Sequence, residues 1–326
     1  MSDAPAVPAF VTIAIVGAGA VGGFFGAMLA RAGLRVTFVA RPAQAEAIAR
    51  DGLRLAMGGR TETLRDVAAT TDLATALGDA DLVLVCVKST DTEAVARAMV
   101  PHVRPGAVVM SLQNGVENAA VLARHFGARA SVVPAVVYVA TATPEPGLVQ
   151  HHGRGDLVIG ALHGAPADAQ SAARLEAIVT LFAHAAVPVR VSEDVRRELW
   201  MKLIVNCAYN AISALAQASY ARLAALPVVV DLQRRVVEEA VAVAHADGVS
   251  LDPDAAMAAM EGIARAMPGQ LSSTAQDLAR RKPSEIDHLN GFVVRRGREL
   301  GIATPANEAL HALVKLVEAG HVADAG

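Results

Sequence analysis

The sequence contains only two cysteines in 326 residues. Cys86 and Cys207 lie in separate apolar runs, so we expect two reduced, buried thiols in a cytoplasmic protein and no structural disulfide. His, Cys and carboxylate side chains are nowhere spaced as metal ligands are, and this predicts that the protein holds no metal.

An excess of charge of either sign is also missing, with 29 Lys and Arg against 32 Asp and Glu spread along the chain. Such a chain offers no basic face to phosphate backbones, which argues against a nucleic-acid partner. No apolar stretch approaches the roughly 18 to 20 residues that cross a bilayer. The segment 1–10 lacks the basic region of a signal peptide. We therefore expect a cytoplasmic protein without a membrane partner.

A chain of 326 residues is longer than one hydrophobic core usually supports, so two domains are expected. Residues 1–192 alternate short β-branched runs with helical segments, which predicts an α/β domain with a doubly wound parallel sheet buried on both faces. The clearest strands are predicted at residues 12–16, 35–39, 81–87, 107–112 and 131–139. Strands at 148–152, 156–159 and 187–191, with a helix at 167–186, are expected to complete the same sheet.

Residues 193–326 show long segments with a period of 3.6 residues, which predicts an all-α domain. The strongest helices are predicted at residues 195–215, 227–247, 253–267 and 284–300. Gly248 and Gly301 fall where helices commonly end in a left-handed conformation.

The turn after the first strand has the pattern G-x-G-x-x-G and precedes a helix predicted at 24–32. Its residues are Gly17, Ala18, Gly19, Ala20, Val21 and Gly22. The first glycine permits a tight turn, the second leaves room for a pyrophosphate, and the third lets the helix pack closely with its N–H groups facing the anion. A glycine-rich turn without a ligand is the alternative. The strand–turn–helix context favours a dinucleotide site.

Three further candidates follow predicted strands. Arg41 stands where NAD enzymes usually place an Asp or Glu. A guanidinium can pair with a 2′-phosphate, and no carboxylate is present there to repel it, so NADP(H) is expected over NAD(H). The alternative is a solvated cation at a strand end. Lys88 and Asn114 follow the next strands, where ligands bind in open α/β sheets, although polar residues often end strands for other reasons.

The predicted helix 195–215 carries Glu198, Lys202, Asn206 and Asn210 at four-residue spacing, hence on one face. Asparagines are poor helix formers, and this narrow polar stripe on an apolar helix indicates a polar site. Reducing a ketone requires a proton for its oxygen, which Lys202 can supply where desolvation lowers a lysine pKa. The asparagines can bind substrate without adding charge. The alternative is a surface Glu198–Lys202 pair, with asparagines that cap neighbouring elements.

A second polar segment runs from Ser272 to Thr274 and from Ser284 to Phe292. Pro283 and Ser284 mark a predicted helix start, so the helix dipole alone accounts for Glu285 in the first turn.

Taken together, the motifs resemble the ketopantoate reductase family over nearly the whole chain. They are the glycine pattern, Asn114-Gly115, Glu198-Leu199-Trp200-x-Lys202-Leu203-x-x-Asn206-Cys207 and Glu285-Ile286-Asp287-x-x-Asn290-Gly291. The resemblance implies an N-terminal Rossmann domain, a helical C-terminal domain and a cleft between them. It also implies NADPH-dependent reduction of the 2-oxo group of ketopantoate to pantoate, in pantothenate biosynthesis. A homodimer is a mild further expectation.

The resemblance implies roles for single residues. Lys202 would be the proton donor, with the Glu285 carboxylate near it. The substrate would be held by Asn114, Asn206, Asn210 and Ser273. The cofactor would contact Asn114, Ala140 and Glu285, with Arg41 and Lys88 on its phosphate or ribose side.

One departure leaves the substrate open. Some family members carry a further substrate-binding asparagine after this helix, whereas residues 217–220 offer none. Another small 2-oxo acid therefore stays an alternative substrate. A 3-hydroxy acid dehydrogenase, with a similar Lys-x-x-x-Asn helix, is a second alternative. A non-catalytic dinucleotide sensor is a third, because fold does not fix function.

Overall fold

The computed structural model describes residues 10–162 and 168–323. Two sequence predictions concern residues outside this part of the chain. One is that the N-terminal segment is not a signal peptide, and the other is the first residue of the helix predicted at 167–186. The chain divides into two compact units, Met1–Arg196 (unit 1) and Arg197–Gly326 (unit 2).

Unit 1 alternates strands and helices. Its strands are β1 (Thr12–Val16), β2 (Arg35–Val39), β3 (Leu53–Met57), β4 (Arg60–Leu64), β5 (Ala68–Thr70), β6 (Leu82–Val85), β7 (Val108–Ser111), β8 (Ser131–Glu145), β9 (Leu148–Ile159) and β10 (Val189–Val191). Its helices are α1 (Ala20–Arg31), α2 (Pro42–Asp51), α3 (Leu73–Leu77), α4 (Thr92–Met99), α5 (Asn118–Phe126) and α6 (Ala169–His184).

Across the described residues, the strands form one ten-stranded sheet in the order β4-β3-β9-β8-β7-β6-β1-β2-β5, with β10 paired to β9. The run β5-β2-β1-β6-β7-β8 is parallel throughout and has the doubly wound order. The strand order reverses at β1, between β2 and β6, and this is where such sheets bind ligands. The predicted Rossmann fold is confirmed, with two additions: β8 pairs antiparallel with β9, and β3 antiparallel with β4.

Both faces of the sheet are buried at its central parallel strands β1, β6 and β7, as predicted. Along β1, Ile13 and Ile15 belong to one apolar cluster, with Phe25 of α1 and Phe182 of α6. Ala14 and Val16 belong to another, which includes side chains of α3, α4 and α5. Successive side chains of a strand point to opposite faces, so a strand covered on both sides must be apolar at every position. This explains why β1 was identifiable from sequence.

The predictions missed the β3–β4 hairpin and the edge strand β5. The hairpin turns at Gly58 and Gly59, both with positive φ, and β4 is almost entirely exposed. An exposed edge strand has no buried apolar run, so the pattern that revealed β1 is not present there. The strands predicted separately at 148–152 and 156–159 are one strand, β9, with irregular pairing between them.

The described residues of unit 2 form helices joined by loops and turns. Its helices are α7 (Val195–Ala216), α8 (Tyr220–Ala224), α9 (Pro227–Ala246), α10 (Pro253–Ala266), α11 (Ser273–Ala279), α12 (Asn290–Leu300) and α13 (Pro305–Ala323), and α7 begins two residues before the unit boundary. The predicted helices 195–215, 227–247 and 253–267 are confirmed to within one residue. Gly248 and Gly301 follow α9 and α12 with φ of +80° and +73°, as expected for left-handed helix ends.

The predicted helix 284–300 is wrong in its first third. Residues 286–288 form a 3₁₀ turn, and α12 begins only at Asn290. Leu289, with φ of −110° and ψ of −107°, separates the two. Glu285 is therefore not in the first turn of a helix, and the helix dipole does not account for it.

The expectation that no segment reaches membrane-spanning length needs one correction. Among the described helices, α7 is long and apolar enough by length and composition, although 67% of the qualifying window is buried inside the protein. A core helix passes the same test, so a single such helix is weak evidence for a membrane span.

Candidate active site

The glycine turn between β1 and α1 lies at the switch point of the sheet. Gly17 has a φ of +104°, and a Cβ placed on it would lie 2.7 Å from the Val87 amide nitrogen. The Gly17 amide donates to the Val39 carbonyl at the end of β2 (3.0 Å). A Cβ on Gly22 would lie 2.1 Å from the Gly17 carbonyl oxygen. Both glycines are thus required by the fold of the turn itself.

Gly19 differs from its neighbours, because a Cβ placed on it would meet no protein atom within 4 Å. It is exposed and lies at the N-cap of α1, where no side chain forms a capping hydrogen bond and no acidic residue occupies the first turn, which opens with Ala20 and Val21. The first N–H groups of a helix lack helical partners and carry partial positive charge. Open space before such a terminus fits the pyrophosphate of a dinucleotide.

The residue Gln44, which the sequence interpretation did not single out, holds this turn in place. Its Nε2 donates to the carbonyl of Ala18 (2.9 Å), and its Oε1 accepts from the amide of Gly147 (3.0 Å). Gln44 lies in α2, and nothing in the local sequence indicates a contact that spans from residue 18 to residue 147.

Arg41 follows β2 and precedes Pro42, the first residue of α2, and its side chain is 93% exposed. The expectation that no carboxylate lies near Arg41 is wrong, because the fold brings Asp91 beside it. The Asp91 Oδ2 atom lies 3.9 Å from the Arg41 Nη2 atom. The two residues are fifty positions apart, so no local pattern indicates this pairing. An exposed pair contributes only about 0–1 kcal/mol, so the guanidinium can still exchange this partner for a phosphate.

Lys88 and Asn114 lie on the loops that follow β6 and β7, neighbouring strands of the parallel sheet. The backbone carbonyl of Asn114 accepts hydrogen bonds from Ser89 Oγ (2.8 Å) and from Asn118 Nδ2 (2.5 Å). The structure therefore brings these two candidate loops together at the carboxyl edge of the sheet. Ala140, another candidate, is buried in β8 and pairs with Gly153 of β9.

A buried polar network that sequence reasoning missed joins the same two loops. Thr92 Oγ1 donates to Asn118 Oδ1 (2.8 Å), and Gln113 Nε2 donates to Thr92 Oγ1 (2.7 Å) and to the Val87 carbonyl (3.1 Å). Ser111 Oγ donates to Gln113 Oε1 (3.0 Å). Satisfied networks of this kind rigidify the backbone around them. The sequence did contain a sign of this network. Thr92 and Asn118 are polar residues at the first positions of α4 and α5, next to the two candidate loops.

The polar stripe predicted on the long helix lies on α7. Glu198, Lys202 and Asn206 are half-buried, and Asn210 is 3% exposed. On the same helix, Trp200, Leu203 and Cys207 are fully buried. The stripe is therefore one polar strip on a core helix, which weakens the alternative of a surface ion pair.

Within unit 2, the residue before Ser273 contacts the backbone of Asn210. Ser272 caps α11 by accepting from the Ala275 amide (3.0 Å), and the same hydroxyl donates to the Asn210 carbonyl (3.1 Å). Ser273, the next residue and the first of α11, is exposed. The backbone of α7 at Asn210 is thereby joined to the start of α11, where Ser273 lies.

The segment that carries Glu285 is fixed on α13 instead of by a helix of its own. Glu318 Oε1 accepts from the Ser284 amide and hydroxyl (2.8 and 2.7 Å). Asp287 pairs with His311 Nε2 (2.6 Å) and Lys315 Nζ (2.9 Å). These tertiary contacts, rather than helix propensity, determine the backbone of the segment, which explains the error in the predicted helix start.

These contacts also set titration behaviour. Although burial raises the pKa of Asp287, hydrogen bonds from His311 and Lys315 outweigh it, and the pKa lies below its usual value. Burial also raises the pKa of Glu318, but hydrogen bonds from Ser284 and Lys315 lower it by more, so this pKa too lies below its usual value. The hydrogen bond to Asp287 raises the pKa of Lys315.

We expect the folded state to lose stability as the pH falls below about 4, the usual carboxyl range. A carboxyl with a lowered folded-state pKa stabilises the protein above its unfolded-state pKa, and this contribution disappears as the pH falls through the folded-state value. Urea unfolding followed by circular dichroism between about pH 3 and 7 measures the effect. Glu318→Gln should show a shallower dependence than the parent, and equal slopes would contradict this account of the segment.

Burial raises the pKa of the thiols of Cys86 and Cys207, so both are protonated at neutral pH. Both are free, Cys207 being buried as predicted and Cys86 only partly so. Within the described ranges, no group of three His, Cys, Asp or Glu residues could hold a metal ion.

Comparison with known proteins covers both units. Residues 13–164 match the family model described as "Ketopantoate reductase PanE/ApbA", and residues 194–318 match "Ketopantoate reductase PanE/ApbA C terminal". The chain is 36% identical over 310 residues to a 2-dehydropantoate 2-reductase of Halobacterium salinarum, covering 94% of this chain and 98% of the relative. It is 30% identical over 311 residues to a protein of the same name from Vibrio cholerae, with the same coverage.

A solved structure gives the same result. The crystal structure of a PanE/ApbA family ketopantoate reductase from Ralstonia eutropha JMP134 is 51% identical and has a TM-score of 0.87, covering 95% of this chain and 99% of that one. The matches extend over the glycine turn, the α7 stripe and the Glu285 segment alike. The chain therefore belongs to the ketopantoate reductase family of dinucleotide-binding oxidoreductases.

Proposed function

We propose that this protein is an NADPH-dependent 2-dehydropantoate 2-reductase, which converts ketopantoate to pantoate in pantothenate biosynthesis. One observation carries the proposal. A chain similar over 94% of its length to proteins of that name has a lysine and two asparagines, together with Glu198, as the polar stripe of a largely buried helix. Two neutral, hydrogen-bonding amides beside one ammonium suit a small 2-oxo acid whose carbonyl must be protonated during reduction.

The residues of the chain divide the work. Bound NADPH supplies the hydride. The α1 terminus at Gly19 and the glycine turn hold the pyrophosphate, and Arg41 and Lys88 lie on the phosphate and ribose side. Asn206, Asn210 and Ser273 hold the substrate, with Asn114 at the carboxyl edge of the sheet. Lys202 donates its proton to the carbonyl oxygen as the carbon is reduced and then regains one from water.

Glu285 and Ala140 complete the proposed site. Glu285 lies on the segment fixed by α13, which suits a carboxylate that must keep one position beside cofactor and lysine. Ala140 offers a small, buried side chain on β8.

A screen of NADPH oxidation with ketopantoate and with other short 2-oxo and 3-oxo acids tests the proposal. We expect ketopantoate to give the highest kcat/KM. Preference for another 2-oxo acid would keep the reaction type but replace the substrate, an outcome that the missing asparagine in residues 217–220 leaves open. Activity only on 3-hydroxy acids, or none with any acid, would contradict the proposal.

The preference for NADPH is expected to depend on Arg41. Arg41→Ala should weaken NADPH binding by about 1.5–3 kcal/mol, the range of hydrogen bonds to charged groups, and leave NADH binding nearly unchanged. Asp91→Asn should strengthen NADPH binding, because it removes the carboxylate 3.9 Å from the Arg41 guanidinium. The Kd values of both cofactors for the two variants, measured by fluorescence titration at low salt, test these two expectations. Equal losses for both cofactors in Arg41→Ala would remove Arg41 from this role.

A cytoplasmic location and a homodimer are part of the same proposal. Two protonated, free cysteines support a reducing compartment. The balanced charge of the chain supports a small-molecule substrate instead of a nucleic acid, and the burial of α7 supports a core helix instead of a membrane span.

A further inference from the structure

Asn290 and Gly291 end the Glu285–Gly291 motif and have no role in the proposed site. Asn290 is the first residue of α12 and is fully buried. Its Nδ2 atom donates to the backbone carbonyl of Cys207 on α7 (3.1 Å) and to Asn307 Oδ1 (3.0 Å). Cys207 directly follows Asn206, so Asn290 contacts the backbone of α7 beside a predicted substrate residue.

Asn290 is one end of a chain of hydrogen bonds through the core of unit 2. Asn307, also fully buried, donates from Nδ2 to the Val236 carbonyl (3.2 Å) and to Glu239 Oε2 (2.8 Å). The Asn307 amide donates to the same carboxylate (2.9 Å). The backbone of α7 is thereby joined, through two asparagines, to α9 and to the start of α13.

Asn290 contributes more to fixing the relative position of two helices than to the stability of the fold. Its Oδ1 atom is buried and has no hydrogen-bond partner among the described residues. A buried acceptor without a partner destabilises the folded state, because it has lost its hydrogen bonds to water. A leucine of similar size would avoid that cost, but it could not fix the position of α12 along α7, because apolar contacts are non-directional.

Gly291 serves the other side of the same segment. A Cβ placed on it would lie 2.8 Å from His311 Nε2, the atom that pairs with Asp287. The segment that carries Glu285 is therefore held to α13 through Asp287 and to α7 through Asn290. Asn290 supplies a directional contact between this segment and the helix of Lys202.

We propose that Asn290 is a positioning residue for the reduction, which fixes the Glu285 segment against the part of α7 that carries Lys202 and Asn206. This inference rests on the proposed function. It predicts that loss of the Nδ2 donor changes turnover while the fold and the dinucleotide site in unit 1 stay intact.

Asn290→Ala and Asn290→Leu test the inference, with Asn307→Ala as the matched control. All three variants break the Asn290–Asn307 bond, but only the first two break the bond to Cys207. We expect kcat to fall at least tenfold in both Asn290 variants, with the Kd for NADPH within twofold of the parent. Asn290→Leu keeps the volume of the side chain, so it tests the role of the Nδ2 donor even if Asn290→Ala does not fold. In Asn307→Ala, kcat should stay within threefold even where Tm falls.

Two further readouts separate positioning from a loss of fold. The pH at which kcat declines should shift in the Asn290 variants and not in Asn307→Ala, because only the former change the surroundings of the proton donor. The single tryptophan, Trp200, packs against Phe292 with ring centroids 5.4 Å apart. Acrylamide quenching of its fluorescence, which needs no activity, should increase in Asn290→Ala alone.

The outcomes are distinguishable. If the parent protein oxidises NADPH with a 2-oxo acid but Asn290→Leu does so within threefold of the parent, the inference is overturned and the proposed function stands. Equal kcat losses in the Asn290 and Asn307 variants would likewise reduce Asn290 to a structural role. A parent protein inactive toward every 2-oxo acid would overturn the proposed function, and the inference with it.

Discussion

Lys202→Ala is expected to lower kcat about 10²- to 10⁴-fold, the usual contribution of a positioned general acid. Without the ammonium, the carbonyl oxygen must take its proton from water as the carbon is reduced. The affinity for NADPH should survive, because the residues proposed to hold its phosphates lie in unit 1. Steady-state kinetics with the preferred 2-oxo acid, together with NADPH titration, measure both effects.

Two variants sharpen this prediction. Lys202→Arg keeps a positive charge but provides a group that stays protonated, so its kcat should be nearly as low as that of Lys202→Ala. Lys282→Ala removes an exposed lysine of the same unit and should leave turnover unchanged. If Lys202→Ala or Lys202→Arg turned over within threefold of the parent, Lys202 would not be the proton donor.

The glycine turn provides the second large effect, as a contrast between two equal substitutions. Gly19→Ala should keep its Tm, because the new methyl meets no protein atom within 4 Å, and should raise the Kd for NADPH at least about tenfold, or 1.4 kcal/mol. Gly22→Ala places a methyl 2.1 Å from the Gly17 carbonyl oxygen. It should cost about 3 kcal/mol of folding free energy, or about 6–12 °C in Tm for a unit of this size.

Gly78 offers the control for this contrast. It ends α3 with a φ of −56°, and an added Cβ would lie 3.4 Å from the Ala74 carbonyl oxygen, an ordinary contact. Gly78→Ala should therefore change neither Tm nor cofactor affinity. The space at Gly19 would not be the pyrophosphate site if Gly19→Ala bound NADPH as tightly as the parent. Thermal melts and fluorescence titrations of the three variants decide between these results.

Local patterns predicted the parts of the fold that depend on local physics. The apolar run of β1, the glycines after it and the four-residue spacing on α7 each have one geometric explanation, and the structure has them where the sequence indicated. The exposed strand β4 and the edge strand β5 lack such a pattern, since their pairing depends on distant strands.

The errors at the site have a common cause, which is contact between residues far apart in the chain. Asp91 lies beside Arg41, Gln44 holds Ala18, and Glu318 fixes Ser284, each across a separation that no local pattern reveals. The Glu285 segment looked like a helix start from Pro283 and Ser284 alone. Its contacts with α13 determine a different backbone.

Transfer of label from the cofactor tests the central claim most directly. The protein is incubated with ketopantoate and NADPH deuterated at C4 of the nicotinamide, on each face in turn, and the product is analysed by mass spectrometry and NMR. We predict pantoate with deuterium at C2 from one labelled cofactor and none from the other, with NADPH consumed in equal amount. Pantoate without label from either cofactor, or no consumption of NADPH, would contradict the account.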